Sequence, residues 1–243
     1  MAAQGSPFVD LNEIDVQPVY KTQRLMFYTV ENQAYQIAIG MANRLQDRAA
    51  VELFARMAGE DRDTWSDAEG ETIECLVDKA QVGRAEEWVL SRLIKKRGAD
   101  VFRDALKTTG TPFTSISHST KAVAVLFSDV PAGIDHEVIE ARDASWASRM
   151  DPDREAIPLG NFLGTWRQLT TDCLQTITWA AKEASMKAWA FNRLGLLPGI
   201  KIDGRGTMIT TRAVTNEKKE IRCQILLHVD LTGVLAIALP VTS

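Results

Sequence analysis

Residues 122–139 read AVAVLFSDVPAGIDHEVI, with an apolar run, a turn and two acids in close succession. The apolar, β-branched run Ala122–Phe127 predicts a short strand. The Pro-Ala-Gly turn at 131–133 predicts a reversal of the chain and a further strand within Val130–Ile139. Phe113–Ile116 predicts another short strand just upstream. We therefore expect β-structure in the middle of the chain.

Helical patterns flank this β-rich middle on both sides. Apolar positions recur at three- and four-residue steps within Glu31–Gly59, which predicts a helix there. Ser66, with Glu69 three positions later, predicts a capping box that opens a second helical region, and this region runs on to Lys96. A strong helical pattern covers Leu163–Leu194. Long helices are thus expected before and after the central strands.

The remaining segments complete a mixed α+β chain. Val19–Val30 predicts a strand, and three C-terminal segments, Thr207–Val214, Ile221–Val229 and Val234–Val241, predict three more. The order α then β occurs twice, which favours an α+β fold of two similar halves. The expected division is an N-terminal arm at 1–18, a first half at 19–128 and a second half at 129–243, which carries the site described below.

Composition and charge limit the classes of function. Apolar residues make up 45% of the chain and charged residues 25%, as in an ordinary globular protein. The net charge of −4 argues against a general nucleic-acid-binding protein. Three cysteines without a C-x-x-C pair argue against a disulfide framework or a zinc knuckle and indicate a reducing compartment. The N-terminus lacks a signal-peptide pattern, so we expect a cytoplasmic protein that does not enter membranes.

Two carboxylates lie two positions apart in the strand that follows the turn. Alternate side chains of a strand share a face, so Asp135 and Glu137 project the same way, roughly 7 Å apart along the backbone. They repel each other unless a cation lies between them, and Mg²⁺ is the cation that combines one or two carboxylates with phosphate oxygens. An exposed strand with two solvated acids is the alternative interpretation. His136 turns the other way, so we predict no ligand role for it.

A third acid comes from the strong C-terminal helix. Glu183 and Lys187 are four positions apart and therefore share a helix face, which by itself is typical of a surface ion pair. Trp179 and Trp189 flank the pair and favour a partly buried helix, where an acid and a lysine are costly without a role. His118 is the remaining polar candidate. A histidine in a turn is usually structural, but its ring N–H can also donate a hydrogen bond to a phosphate.

Three clusters, in this order, resemble the motifs of the phosphopantetheinyl transferases. Ser115–His118 resembles the family's Ser-x-Ser-His segment, and Gly133–Glu137 resembles its Gly-(Ile/Val)-Asp-x-Glu strand. Trp179–Ala188 resembles its Trp-x-x-Lys-Glu-(Ala/Ser)-x-x-Lys-Ala helix. The short gap between the first two clusters also fits the family. The resemblance extends over about residues 84–195 of the chain.

The length of the chain resembles the larger, surfactin-type branch of this family. That resemblance implies two pseudo-symmetric α/β halves in one chain, each with a small antiparallel sheet packed on a long helix, so that a monomer suffices. It also implies the activity. Coenzyme A would give its 4′-phosphopantetheine arm to a serine of an apo acyl or peptidyl carrier protein, and 3′,5′-ADP would be released.

The resemblance also assigns roles at the acidic cluster. Asp135, Glu137 and Glu183 would hold Mg²⁺, or Mn²⁺ in its place, and this ion would bind the pyrophosphate of coenzyme A. Glu183, or a water that it orients, would be the base for the carrier serine. Lys187 would stabilise or protonate the departing phosphate.

Five further residues are candidates for the coenzyme A site. His118 would contact a phosphate of coenzyme A, and Ser117 would add a hydroxyl bond nearby. Arg84, Arg92 and Lys96 are candidates for the 3′-phosphate. For each of these three cations, a solvated charge on a helix face is the alternative.

The chain departs from the family pattern at several points. Thr111 stands where many relatives have a lysine before the Ser-x-Ser-His segment, His136 stands where an aliphatic residue is usual, and residues 1–65 match nothing in the family. A transferase-like protein that binds coenzyme A or a carrier without catalysis therefore remains an alternative, as does an unrelated Mg²⁺-dependent phosphohydrolase. Because carrier proteins are acidic, we also expect a local basic or apolar docking patch near Lys182–Arg193.

Overall fold

A computed structural model describes the chain over residues 6–19, 23–30, 36–61, 63–79, 81–106, 112–143, 145, 151, 154–165, 167–190, 199–205, 208–214 and 220–241. We assign ten strands and five helices within these ranges. The strands are β1 (Leu11–Val19), β2 (Gln23–Val30), β3 (Ile37–Asn43), β4 (Phe113–His118), β5 (Ala122–Ser128), β6 (Gly133–Val138), β7 (Lys201–Arg205), β8 (Met208–Val214), β9 (Glu220–Val229) and β10 (Gly233–Pro240). The helices are α1 (Arg48–Glu60), α2 (Asp67–Asp78), α3 (Val82–Leu106), α4 (Ala156–Leu163) and α5 (Thr171–Ala188).

The strands form two antiparallel sheets of five strands each. The order is β1-β2-β3-β5-β4 in the first sheet and β6-β10-β9-β8-β7 in the second. Every strand of the first sheet precedes residue 129 and every strand of the second follows it. The prediction of a mixed α+β fold is thereby confirmed.

The two sheets pack face to face, with helices on both outer sides. Leu126 of β5 and Ile237 of β10 belong to the apolar core between the sheets. Phe127, on the opposite face of β5, packs in a core shared with α1 and α3. Ala236 of β10 lies in the core that the second sheet shares with α4 and α5. Since both faces of β5 are covered, every residue of this strand is buried, which explains its unbroken apolar run.

Glycines allow the long helices to approach the sheets closely. A Cβ atom on Gly98 of α3 would overlap the Phe127 ring, and one on Gly133 of β6 would overlap the backbone carbonyl oxygen of Ala184 in α5. A side chain at either position would push helix and sheet apart. The glycine at the start of β6 is therefore what brings this strand against α5.

The first described residues are attached to the second sheet. The N–H of Val9 donates to the carbonyl of Leu227 at 2.7 Å, and the N–H of Leu227 donates to the carbonyl of Pro7 at 2.8 Å. β1 then pairs along its length with β2. Within the described part of the N-terminal arm predicted at 1–18, hydrogen bonds to the second sheet and to β2 therefore fix the backbone.

The predicted helix over Glu31–Gly59 is also wrong in its first part. Ile37–Asn43 forms β3, between β2 and β5, and the helix begins only at Arg48 after the N-cap Asp47. Residues 31–35 lie outside the described residues. A strand that is covered on both faces has no polar alternation, so its apolar residues imitate a helical pattern.

Other predicted elements agree with the structure, with shifted ends. Ser66 and Glu69 form the predicted capping box at the start of α2. The helix predicted over Leu163–Leu194 begins at Thr171 and ends at Ala188, and its last predicted positions, 191–194, lie outside the described residues. β7 was not predicted. Strands also precede the helices in both halves, so the predicted order of α then β is incomplete.

Candidate metal centre

Three carboxylates from two elements meet at the edge of the second sheet. Asp135 and Glu137 of β6 and Glu183 of α5 each offer an oxygen, and these oxygens all lie within 4.8 Å of one another. Among the described residues, no other three His, Cys, Asp or Glu side chains come this close. The three residues that the sequence predicted as metal ligands are therefore brought together.

Strand alternation and helix contact explain this arrangement. Ile134 points into the apolar core between the sheets. Asp135 therefore projects from the other face of β6 towards α5, where it meets Lys187. His136 bonds instead to the hydroxyl of Ser119, with 3.0 Å between Nδ1 and Oγ, and takes no part in the carboxylate cluster.

Asp135 is the most deeply buried member of the cluster, with 1% of its surface exposed. Its Oδ1 atom accepts hydrogen bonds from the Ser117 hydroxyl at 2.8 Å and from the Lys187 ammonium at 2.8 Å. Its Oδ2 atom is buried and has no hydrogen-bond partner within the described residues. A buried carboxylate oxygen without a donor is costly, so this atom is suited to a cation.

Glu137 is held by two donors. The indole Nε1 of Trp179 donates to its Oε1 at 3.1 Å, and Arg142 donates to its Oε2 at 3.2 Å. Sequence reasoning missed Arg142, which lies in the loop after β6 and has no motif to identify it. The Trp179 contact could have been anticipated, because Trp179 lies one helical turn before Glu183 on the same face.

Lys187 forms the cationic part of the cluster. Its ammonium group lies 2.8 Å from Asp135 Oδ1 and 3.2 Å from Glu183 Oε1, and it donates to the carbonyl of Ile134 at 3.1 Å. An ammonium has three N–H donors, so these contacts account for all of them. The lysine is thereby fixed between the strand and the helix.

Burial dominates the electrostatics of the site. It raises the pKa of Asp135, Glu137 and Glu183 above the ordinary values, and repulsion from Asp135 adds to the effect at Glu183. At Lys187, burial alone would lower the pKa, but the carboxylates of Asp135 and Glu183 outweigh it and raise the pKa. The positive charges of Lys187 and Arg142 do not balance the negative charges of three ionised acids. The remaining negative charge and the carboxylate oxygens fit a hard divalent cation such as Mg²⁺.

Two adjoining cavities lead to this cluster. The larger, of about 370 Å³, is lined by Leu76, Arg84, Glu87, Trp88, Ser91, Arg92, Ile116, His118 and Val123. The smaller, of about 270 Å³, is lined by Arg44, Glu87, His118, Ser119, Thr120, Glu137, Val138 and Glu140. Because Glu87 and His118 line both, the cavities adjoin at these residues, and the smaller one reaches Glu137.

The predicted coenzyme A contacts are distributed unevenly around these cavities. His118 is 59% exposed, with Nδ1 3.8 Å from Glu87. The Arg92 guanidinium lies 3.8 Å above the Trp88 ring, and Arg84 lines the same cavity. Lys96 instead forms an ion pair with Glu69 at 2.9 Å and is not among the residues that line either cavity. Thr111 lies outside the described residues.

Arg44 is a cavity residue that sequence reasoning missed. Its guanidinium pairs with the fully buried Glu86 at 3.0 Å and with Glu87, and it donates to the Ser119 carbonyl at 3.1 Å. The guanidinium thus joins α3 to the turn after β4. No sequence pattern links a residue after β3 to this turn, since the contact depends on the tertiary fold.

The expected docking patch near Lys182–Arg193 is wrong at its first residue. Lys182 is 1% exposed, and its ammonium pairs with Glu155 at 2.6 Å. A buried, paired lysine cannot present a basic surface to a partner. Residues 191–193 lie outside the described residues.

No protein-family model matches this chain, and no curated protein is significantly similar to it. The resemblance to the phosphopantetheinyl transferases therefore depends on its three motifs alone and stays a prediction. None of the described helices is long and apolar enough to cross a membrane.

Proposed function

We propose that the protein transfers the 4′-phosphopantetheine arm of coenzyme A to a serine of an apo acyl or peptidyl carrier protein, with Mg²⁺ held by Asp135, Glu137 and Glu183. The observation that carries the proposal is the meeting of these carboxylates, from separate elements, around the fixed ammonium of Lys187. If Asp135 and Glu137 were merely two solvated acids on an exposed strand, we would expect neither their burial nor a third acid beside them from another element. The order of the three sequence motifs supports the same assignment.

The cavities offer a route for an elongated, phosphorylated ligand. Arg84 and Arg92 supply positive charge in the larger cavity, where Trp88 supplies an aromatic surface. His118 lies where the cavities adjoin, and Glu137 lies in the smaller one. A nucleotide bound near the arginines would therefore extend its pyrophosphate past His118 towards the carboxylates.

The reaction is a phosphoryl transfer, in which positioning and charge neutralisation supply most of the catalysis. The divalent cation would neutralise charge on the pyrophosphate. Glu183 comes from a separate helix and keeps 19% of its side chain exposed, so it can receive the proton of the carrier serine. Burial raises the pKa of Glu183, which makes it a stronger base than an ordinary glutamate. Lys187, one turn further on, would stabilise the departing phosphate by its positive charge.

The architecture is compatible with the two-half branch of the family without being specific to it. Each half contributes five antiparallel strands and outer helices. The connections differ, because three strands precede the helices in the first half and one strand precedes them in the second. Pseudo-symmetry of the halves, sufficiency of a monomer and a cytoplasmic location remain parts of the proposal.

The test is to incubate the protein with apo carrier proteins, coenzyme A and Mg²⁺, and to measure the mass of each carrier. We expect one carrier to gain the mass of a phosphopantetheine group. Glu183→Gln should lower the rate by about 10²–10⁴-fold, because a general base is lost. Glu52→Gln is the matched control, since Glu52 forms an equally spaced pair with Arg56 on the exposed face of α1. A full rate for Glu183→Gln would contradict the role of this residue.

One observation favours a second candidate, a protein that binds coenzyme A without transferring it. Lys187 already contacts Asp135 Oδ1, so part of the acidic charge is neutralised without a metal ion. Under this alternative, coenzyme A would raise the melting temperature while no carrier gained mass. That result, with carriers from fatty acid, polyketide and peptide synthesis all tested, would replace the first proposal.

A further inference from the structure

Two serine hydroxyls join the edges of the two sheets. β4 is the edge strand of the first sheet, and β6 is the edge strand of the second. The N–H of Ile134 donates to the hydroxyl of Ser115 at 3.2 Å, and the N–H of His136 donates to the hydroxyl of Ser117 at 2.9 Å. These serines satisfy edge N–H groups that no neighbouring strand pairs.

Only one of the two hydroxyls is hydrogen-bonded to the acidic cluster. Ser117 Oγ donates to Asp135 Oδ1 at 2.8 Å, as well as accepting from the N–H of His136. A hydroxyl has a single proton. Because the Ser117 oxygen accepts the N–H of His136, this proton remains available for donation to the Asp135 carboxylate. Ser115 has the corresponding bond to the backbone of β6 and, within the described residues, no hydrogen bond to the cluster, which makes it an internal control.

These bonds make the two oxygens of Asp135 unequal. Oδ1 receives donors from Ser117 and Lys187, while the buried Oδ2 receives none from the described residues. Two donors on one oxygen fix the rotation of the carboxylate about its terminal bond. The other oxygen is then held in one orientation, with no donor from the described residues on its lone pairs.

We infer that Ser117 is a positioning residue of the metal centre, which orients Asp135 so that Oδ2 is presented to the cation. This inference rests on the proposed function. It replaces the sequence-based expectation that the Ser117 hydroxyl contacts coenzyme A. With 2% of its surface exposed and both hydrogen bonds directed into the protein, Ser117 has no free donor for a phosphate.

The test measures binding of Mn²⁺, as a paramagnetic substitute for Mg²⁺, to the full chain by electron paramagnetic resonance. Loss of a group that orients a metal ligand costs about 10- to 100-fold in metal affinity, so Ser117→Ala should weaken Mn²⁺ binding by that factor. Ser115→Ala removes the equivalent bond between the sheets and should leave the affinity for Mn²⁺ unchanged. Equal affinities for the two variants would overturn the inference.

Folding of each variant is checked by circular dichroism and thermal unfolding. If Ser117→Ala does not fold, Ser117→Cys serves in its place, because a thiol is close to a hydroxyl in size but is a weak donor. It should fold and bind Mn²⁺ more weakly than the wild-type chain does. Wild-type affinity in a folded Ser117→Cys variant would overturn the inference.

Failure of the inference and failure of the proposed function give different results. If the wild-type chain binds no Mn²⁺, the metal centre itself is wrong, and the inference is overturned with it. If the wild-type chain binds Mn²⁺ and Ser117→Ala binds it equally well, only the role of Ser117 is wrong. The carrier mass assay remains an independent measure of transfer.

Discussion

At the scale of single residues, Lys187 explains how three acids are tolerated at a buried site. Its ammonium lies between Asp135 and Glu183 and is fixed by the carbonyl of Ile134. Removing one partner of a buried ion pair is strongly destabilising, because the other charge is left without compensation. The lysine therefore acts as an internal counter-ion that keeps the cluster folded before any metal ion binds.

The raised pKa values predict how pH changes the effect of Mg²⁺. A carboxyl group whose folded pKa is raised stabilises the fold below its unfolded pKa, and this stability is lost as pH rises through the folded pKa. Above that pH the three carboxylates are ionised and repel one another. Binding of a divalent cation therefore stabilises the fold most in this pH range. We expect Mg²⁺ to raise the melting temperature more at about pH 7.5 than at about pH 5, as measured by calorimetry.

The control for this pH experiment is Glu183→Gln, in which one ligand and one negative charge are missing. The shift caused by Mg²⁺ at the higher pH should be reduced in this variant. A shift that is the same at both pH values, or the same in Glu183→Gln, would show that Mg²⁺ acts elsewhere on the protein.

Sequence reasoning found the acids but not all of the groups that hold them. Asp135, Glu137 and Glu183 were identifiable because strand and helix periodicities and the family motifs specify their faces. Arg142 reaches Glu137 from a loop, where no periodicity applies. Arg44 is joined to Glu86, 42 positions away in sequence, and no local pattern encodes such a contact.

At the scale of elements, Gly133 determines how closely β6 approaches α5. A methyl group at this position would overlap the carbonyl oxygen of Ala184, and a backbone atom cannot rotate away as a side chain can. We expect Gly133→Ala to reduce the free energy of unfolding by about 1–3 kcal/mol and to weaken Mn²⁺ binding, because Asp135 and Glu183 move apart. Chemical denaturation and Mn²⁺ titration measure the two effects.

Gly199→Ala is the matched control for this substitution, since a Cβ atom there would meet nothing within 4 Å. It should leave both the stability and the affinity for Mn²⁺ close to wild type. If Gly133→Ala behaved in the same way, the close approach of β6 to α5 would not be needed for the site.

Element prediction from the sequence worked where a local signal, such as a capping box or a turn, marks the end of an element. α2 was located by its capping box, and the C-terminal strands were found near their true ends. β3 was taken for a helix because it lies between β2 and β5 and is covered on both faces, which removes the alternation that identifies a strand. Its identity as a strand depends on neighbours that lie far away in sequence.

At the scale of the whole molecule, the apolar layer between the sheets makes the two halves interdependent. Leu126 and Ile237 lie in this layer, and each half alone would expose its part of the layer to water. We expect separate fragments 1–128 and 129–243 to lack cooperative unfolding, and the co-expressed fragments to form a complex that unfolds cooperatively. Circular dichroism and size-exclusion chromatography measure both outcomes; cooperative unfolding of either fragment alone would contradict the prediction.

The bonds of Pro7 and Val9 to Leu227 have a consequence for synthesis on the ribosome. The neighbouring contact between Val9 and His228 spans 219 positions, so residues 7–9 must wait for their partner strand until β9 has been translated. The first sheet can assemble earlier, but its inner face has nothing to cover it until the second sheet emerges. During that interval we expect the nascent chain to expose an apolar surface to which chaperones at the ribosomal exit tunnel can bind.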